Sequence, residues 1–214
     1  MKKIIIAVAA SFVVFASNAQ HMSIGLTVGS GTGWMSNSGN HVVHKESCNV
    51  GGTFVYSTDA HWGFAADVKY SREGYKYTYP GTGNYQGRTM DTRVSSDFIR
   101  VPLRVVYFFN DYSKSVRPKI SLGPSLGFLT GGKIRVEDDD HNNLSKTPVN
   151  DQFKSFDLGV QGTAGVNFRL AEDVWLSTEI AYYQGFLKQN KNGSNSMMNS
   201  NLVLNLGLTV GIGK

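Results

Sequence analysis

From Asp97 to Phe109 the chain reads DFIRVPLRVVYFF, and the stretch has a period of two. Ile99, Val101, Leu103, Val105, Tyr107 and Phe109 fall on one face; Phe98, Arg100, Pro102, Arg104 and Val106 fall on the other. Successive side chains of a strand point to opposite sides, so the pattern predicts a strand with an unbroken apolar row and two arginines behind it. Two arrangements satisfy such a strand. A soluble sandwich turns the apolar row to its core and the arginines to water. A membrane barrel turns the row to lipid and the arginines to a polar lumen.

The rest of the chain favours the second arrangement. Strand-like runs recur at His21–Ser30, Cys48–Thr58, Trp62–Tyr75, Ser96–Phe109, Val116–Thr130, Phe153–Leu170, Val174–Leu187 and Ser200–Gly213. Gly, Asn and Ser fill the gaps, and no helical period is sustained. The connections alternate in length. Asp59–His61, Asn110–Ser115 and Ala171–Asp173 are short; Gly31–Ser47, Lys76–Ser95, Gly131–Gln152 and Lys188–Asn199 are long and polar. Short turns at one end and long loops at the other are the habit of outer-membrane barrels. Each run repeats an apolar face, as in Leu202, Leu204, Leu206, Leu208, Val210 and Ile212. The opposite faces carry Asp67, Lys69, Lys119, Asp157, Asn167, Arg169, Glu179 and Asn205. Trp62, Tyr107, Phe109, Phe128, Phe168 and Tyr182 lie near strand ends, where interfacial aromatic residues belong. The prediction is all-β: an eight-stranded antiparallel up-and-down transmembrane barrel.

The N-terminus fits an exported protein. Lys2 and Lys3 precede an apolar run from Ile4 to Ala16, and Ser17-Asn18-Ala19 is a small-residue cleavage site. Residues 1–19 read as a cleaved signal peptide and residues 20–214 as the barrel domain. Cleavage removes Lys2 and Lys3, so the net charge falls from +5 to +3. That excess is too diffuse for a nucleic-acid partner. Cys48 is the only cysteine, so no intramolecular disulfide is available.

DFIRVPLRVVYFF, Lys119–Phe128 (KISLGPSLGF) and Phe156–Val160 (FDLGV) resemble the PorT-like, "porin family" outer-membrane β-barrel proteins of Bacteroidota. The resemblance extends over the whole mature chain. It implies residence in the outer membrane, contact with outer-membrane lipid and insertion by the assembly machinery. Some members of that family assist protein secretion. At the C-terminus, Asn205-x-Gly207-x-x-Val210-x-Ile212 is similar to the last-strand signal read by that machinery, without its usual terminal aromatic residue.

Three groups of residues are candidates for a site. Counted from the short-turn end, Asp67, Arg104 and Glu179 fall at one level of the lumen, with Lys69 and Arg100 on the same face. Strand tilt that shifts the levels would bring in Glu73 or Lys69 instead. An eight-stranded bore is just wide enough for side chains to fill. The charges then form a plug of salt bridges, with an ion pathway as the alternative, and removal of Arg104 should strand Asp67 and Glu179. The second group is Glu137-Asp138-Asp139-Asp140-His141-Asn142, whose spacing begins like an EF-hand. Asn143 stands where that loop needs glycine and Val149 where it needs glutamate, so it reads as a solvated acidic loop. The third comprises possible nucleophile–base pairs: His21 with Ser23, and His41, His44 and Ser47 with Ser95, Ser96 and Asp97. Their spacing fixes no geometry, and the expectation is a non-enzymatic protein without cofactor or metal. Tyr75, Tyr77, Tyr79 and Tyr85 could anchor an unidentified extracellular partner or pack on one another.

Overall fold

A computed structural model describes residues 21–36, 42–81, 86–138, 143–191 and 196–212. The expected signal peptide, His41, Tyr85, Asp139–Asn142 and the last two residues lie outside them. Among the described residues there are nine strands: β1 (His21–Ser36), β2 (Val42–Ser57), β3 (Trp62–Pro80), β4 (Thr89–Phe108), β5 (Val116–Glu137), β6 (Asn143–Pro148), β7 (Phe156–Ala171), β8 (Val174–Gly185) and β9 (Met198–Ile212). Eight of them close a ring. Every neighbour is antiparallel, β4 pairs with β5, and β1 pairs with β9 to complete the circle. Closure removes the sheet edges, so the spanning backbone satisfies its own hydrogen bonds.

The face assignment follows the alternation. Leu26 is 71% exposed and Leu122 61%, while Arg100 and Arg104 are buried. Val28, Val50, Val68, Val105, Ile180, Leu204, Leu206 and Leu208 also turn outward. Asp67, Lys69, Lys119, Asp157 and Glu179 turn inward and are buried. A wall with its leucines out and its charges in has the polarity of a membrane barrel. Trp62, Tyr107 and Phe109 form an edge-to-face cluster at the short-turn rim, with ring centroids 5.0 and 5.3 Å apart.

Three sequence expectations need correction. The first two long connections are largely strand: β1 and β2 extend to Ser36 and from Val42, and β3 and β4 to Pro80 and from Thr89. The reason is continued alternation, since Tyr75, Val94, Ile134 and Val136 keep to the inner face above the lipid-facing rows. The ninth strand, β6, lies within the long connection Gly131–Gln152. It pairs with the top of β5, Lys133–Glu137, above the segment of β5 that pairs with β7. Conversely, Phe153 lies outside the strand expected to begin there; β7 starts at Phe156. A closed barrel resists detergent until heated, so unboiled refolded protein should migrate differently from boiled protein on a gel. Efficient folding as a monomer in buffer without detergent or lipid would contradict the barrel.

Candidate functional site

The lumen is filled in layers. At the short-turn end the Asn110–Ser115 connection folds beneath the bore. The Tyr112 ring stacks on His21 at 3.4 Å, and Trp175 Nε1 donates to the Tyr112 hydroxyl at 3.3 Å. Arg117 lies 3.9 Å from the Phe108 ring centroid, and Arg169 lies 4.6 Å from that of Trp175. Arg117 also donates to Ser57 Oγ at 2.9 Å and to the carbonyl oxygens of Asn110 and Ala60. Cation–π contact and carbonyl acceptors thus stand in for carboxylates around these two arginines. This floor was not legible in the sequence beyond one clue: Trp175 falls on the same alternate face as Glu179.

The middle layer is ionic. Arg104 donates to Asp67 at 2.7 Å and to Glu179 at 3.1 Å. Lys69 approaches Asp67 at 3.1 Å, and Lys119 approaches Glu179 at 3.0 Å. Thr53 donates to the other oxygen of Asp67, and Lys119 also donates to Ser177. Between this layer and the floor lies a water-accessible cavity of about 40 Å³. At roughly 10–15 Å³ per water it has room for about three.

Arg100 belongs to a separate layer. Its Nε and Nη2 donate to the two oxygens of Glu73 at 2.8 and 2.6 Å, and Nη2 lies 2.9 Å from Asp157. The Tyr183 ring centroid stands 4.1 Å from this guanidinium and that of Phe98 4.5 Å. A Cβ at Gly127 would come within 2.5 Å of Arg100 Nη1, so glycine there makes the room. The structure therefore brings Asp67, Lys69, Arg104 and Glu179 together and puts Arg100 one layer further out. Glu73 and Asp157, rather than Asp67, compensate it. Across the two layers Lys69, Arg100, Arg104 and Lys119 balance Asp67, Glu73, Asp157 and Glu179.

A lid covers the long-loop end. Val149 and Phe153, from the turn after β6, are buried against Met35, Tyr75 and Val94. Backbone bonds tie this lid to the β8–β9 connection: Lys154 N to Gln189 O and Lys191 N to Gln152 O, both 2.8 Å. Gln189 and Asn199 each donate to Asp157 at 2.9 Å, joining the lid to the Arg100 layer. Of the tyrosines expected either to anchor a partner or to pack on one another, Tyr75 stacks on Tyr77 and Tyr77 on Tyr79, at 6.2 and 5.6 Å. Phe153→Ala should loosen the lid without opening the barrel wall. Limited proteolysis should then cut faster between residues 149 and 155, while the heat-dependent gel shift persists. An unchanged cleavage rate would show that Phe153 does not hold the lid.

The other candidates disperse. His21 is 2.8 Å from Asp59, His44 packs edge-on to Trp34, and Asp97 accepts from Arg72. No Ser–His hydrogen bond is present among the described residues. Glu137 pairs with Arg93 and Asp138 with Arg88, while the remainder of the acidic run lies outside the described residues.

The ring of strands has counterparts among known proteins. A family model described as "Outer membrane protein beta-barrel domain" matches residues 15–190. This chain belongs to the outer-membrane β-barrel family. The matched residues of the family barrel run through β8 and stop short of β9. In fold the barrel is similar to OprG from Pseudomonas aeruginosa, with 13% identity, 92% of this chain and 98% of that chain covered, and a TM-score of 0.50. It is also similar to Neisserial surface protein A, at 14% identity over 86% of this chain and 96% of that one, with a TM-score of 0.45. The sequence matches no curated protein. Such identities speak for the architecture alone, and membership of the family places the barrel in the bacterial outer membrane, in contact with its lipid.

Proposed function

We propose that this outer-membrane barrel is a non-enzymatic protein of the PorT-like kind, closed to solutes, which serves as a structural element or presents a binding surface through its extracellular end. Family barrels keep short turns in the periplasm and long loops outside, so the lid and the strand extensions face the exterior. One observation carries the reading: four cations and four acids, all within hydrogen-bonding distance of their partners, cross the bore in two consecutive layers. Ions in a conducting lumen need charges that face water; here the charges face each other, between an aromatic floor at one end and a lid built on Val149 and Phe153 at the other. The scattered serines and histidines support the non-enzymatic part.

Liposome swelling with small sugars and mass spectrometry of lipid A after expression test the two rival classes. The reading requires no swelling beyond protein-free vesicles and unaltered lipid A. Swelling would make the protein a small-solute pore, and new lipid A species would make it a lipid-modifying enzyme.

A further inference from the structure

Above the lipid-facing rows, one side of the barrel is cationic and the other is neutral. Tyr70, Ile99, Phe128 and Phe156 form the last apolar row, each paired with the next across β3, β4, β5 and β7. Arg72, paired with Asp97 at 2.8 Å, marks the boundary. Higher on the same face Lys76 stands opposite Arg93, Arg93 opposite Arg135, and Arg135 opposite Lys146, a row of four cations on four adjacent strands. Lys76 is six residues beyond Tyr70, so at about 3.3 Å per residue and a tilt near 40° this row stands roughly 15 Å above the apolar one.

Like charges directly opposite one another on a sheet repel. Lys76 and Arg93 are partly relieved by Asp91 at 2.7 Å and Glu137 at 3.3 Å. Lys133, Arg135 and Lys146 are exposed and have no acidic partner among the described residues. The crowding registers on Lys45 beside them, which donates to Val94 O and Ser95 Oγ. Burial, then the positive charge of Arg72 and Arg135, holds its ammonium below the usual lysine range. Beyond their lipid-facing rows, β8 and β1 instead carry Gln184, Trp34 and Ser36, bonded in part to the buried Ser200 of β9, with no charge.

We infer that the outward face of β3 to β6 beyond the apolar rows is a binding site for an acidic glycolipid of the outer leaflet, whose phosphates meet Lys133, Arg135 and Lys146. The occupant follows from continuity. β3, β4 and β5 carry the apolar rows below and the cations above, and β6 adds Lys146 beside Arg135, so one molecule with acyl chains and an extended anionic head meets both. A soluble anion would match only the upper half. Arginine supplies paired donors to phosphate and lysine a point charge, and both are present. The inference deepens the binding-surface reading and rests on it.

The test uses the full mature chain refolded in zwitterionic detergent and titrated with purified lipopolysaccharide, intact or dephosphorylated. The variant Lys133→Ala/Arg135→Ala/Lys146→Ala removes no described ion pair and should retain the heat-dependent gel shift. It should bind intact lipopolysaccharide at least tenfold more weakly than the wild type, whereas Thr32→Ala on the neutral side should bind normally. Arg135→Gln alone, with an expected loss of about threefold, serves if the triple variant does not fold. Dephosphorylated lipopolysaccharide should bind the wild type as weakly as intact lipopolysaccharide binds the triple variant. Unchanged affinity in the variants, or equal affinity for the dephosphorylated lipid, overturns the inference. So does preferential binding of inorganic phosphate or of a sulfated polysaccharide. Absent lipid binding by a barrel that admits no solute removes this inference alone; solute flux with lipid binding intact removes the closed-lumen reading alone.

Discussion

Arg100→Ala should destabilise the barrel by about 3–5 kcal/mol, the scale for breaking a buried ion pair. Glu73 takes both of its charged bonds from Arg100 and is otherwise met by the Ser71 hydroxyl. Asp157 keeps the amides of Gln189 and Asn199, which carry no charge. Two buried acids are left without a cation, and the Tyr183 and Phe98 rings lose the group they enclose. Arg104→Ala should cost less. The sequence points to Arg104 as the keystone, because Asp67, Arg104 and Glu179 fall at one level. In the folded barrel, however, Asp67 retains Lys69 and Glu179 retains Lys119. Equilibrium unfolding in lipid vesicles measures both variants. Adding Glu73→Ala to Arg100→Ala should recover part of the loss, with a coupling of at least about 0.5 kcal/mol. Strict additivity, or a larger cost at Arg104, would show that the two layers are assigned wrongly.

Leu206→Arg should cost about 2–4 kcal/mol, the depth-dependent penalty for arginine on a lipid face near the bilayer midplane. Leu206 is 48% exposed and lies midway along the outward row that runs from Leu202 to Ile212 on β9. Leu206→Ala, which places no charge in lipid, should cost clearly less. The neighbouring inward position is not a tolerant control, as the alternation alone would suggest. Asn205 is 2% exposed, accepts from Asn49 at 3.1 Å, and stands opposite Glu179 across the β8–β9 pair. An arginine there must displace packed side chains, which costs about 1–3 kcal/mol. Equal effects of arginine and alanine at position 206 would show that this side chain does not meet lipid.

Much of the barrel is legible because its two solvents write different residues at alternate positions. Leu202 to Ile212 and Ile99 to Phe109 announce which side is lipid; Asp67, Arg104 and Glu179 announce the lumen. Ring closure follows once every run repeats the pattern. Less legible is whatever depends on which strands stand opposite across the bore. Arg100 is four residues from Arg104 on the same face, yet it meets Glu73 and Asp157, because the partners are fixed by tilt and register rather than by position in the chain. The lid escaped for a different reason. Val149 and Phe153 are isolated apolar residues in a polar stretch, and no periodicity marks a turn folded back over a mouth. Tyr112 and the arginines around it form a floor through a single six-residue connection that reads as an ordinary turn.

Single-channel recording tests the closed lumen most directly. The mature chain is refolded, inserted into planar bilayers and held at both voltage polarities in molar salt, with insertion verified independently by the heat-dependent gel shift of the recovered protein. Two neutralised charge layers between an aromatic floor and an apolar lid predict a current indistinguishable from the protein-free baseline. Steady, ohmic single-channel steps from the wild-type barrel would contradict the account.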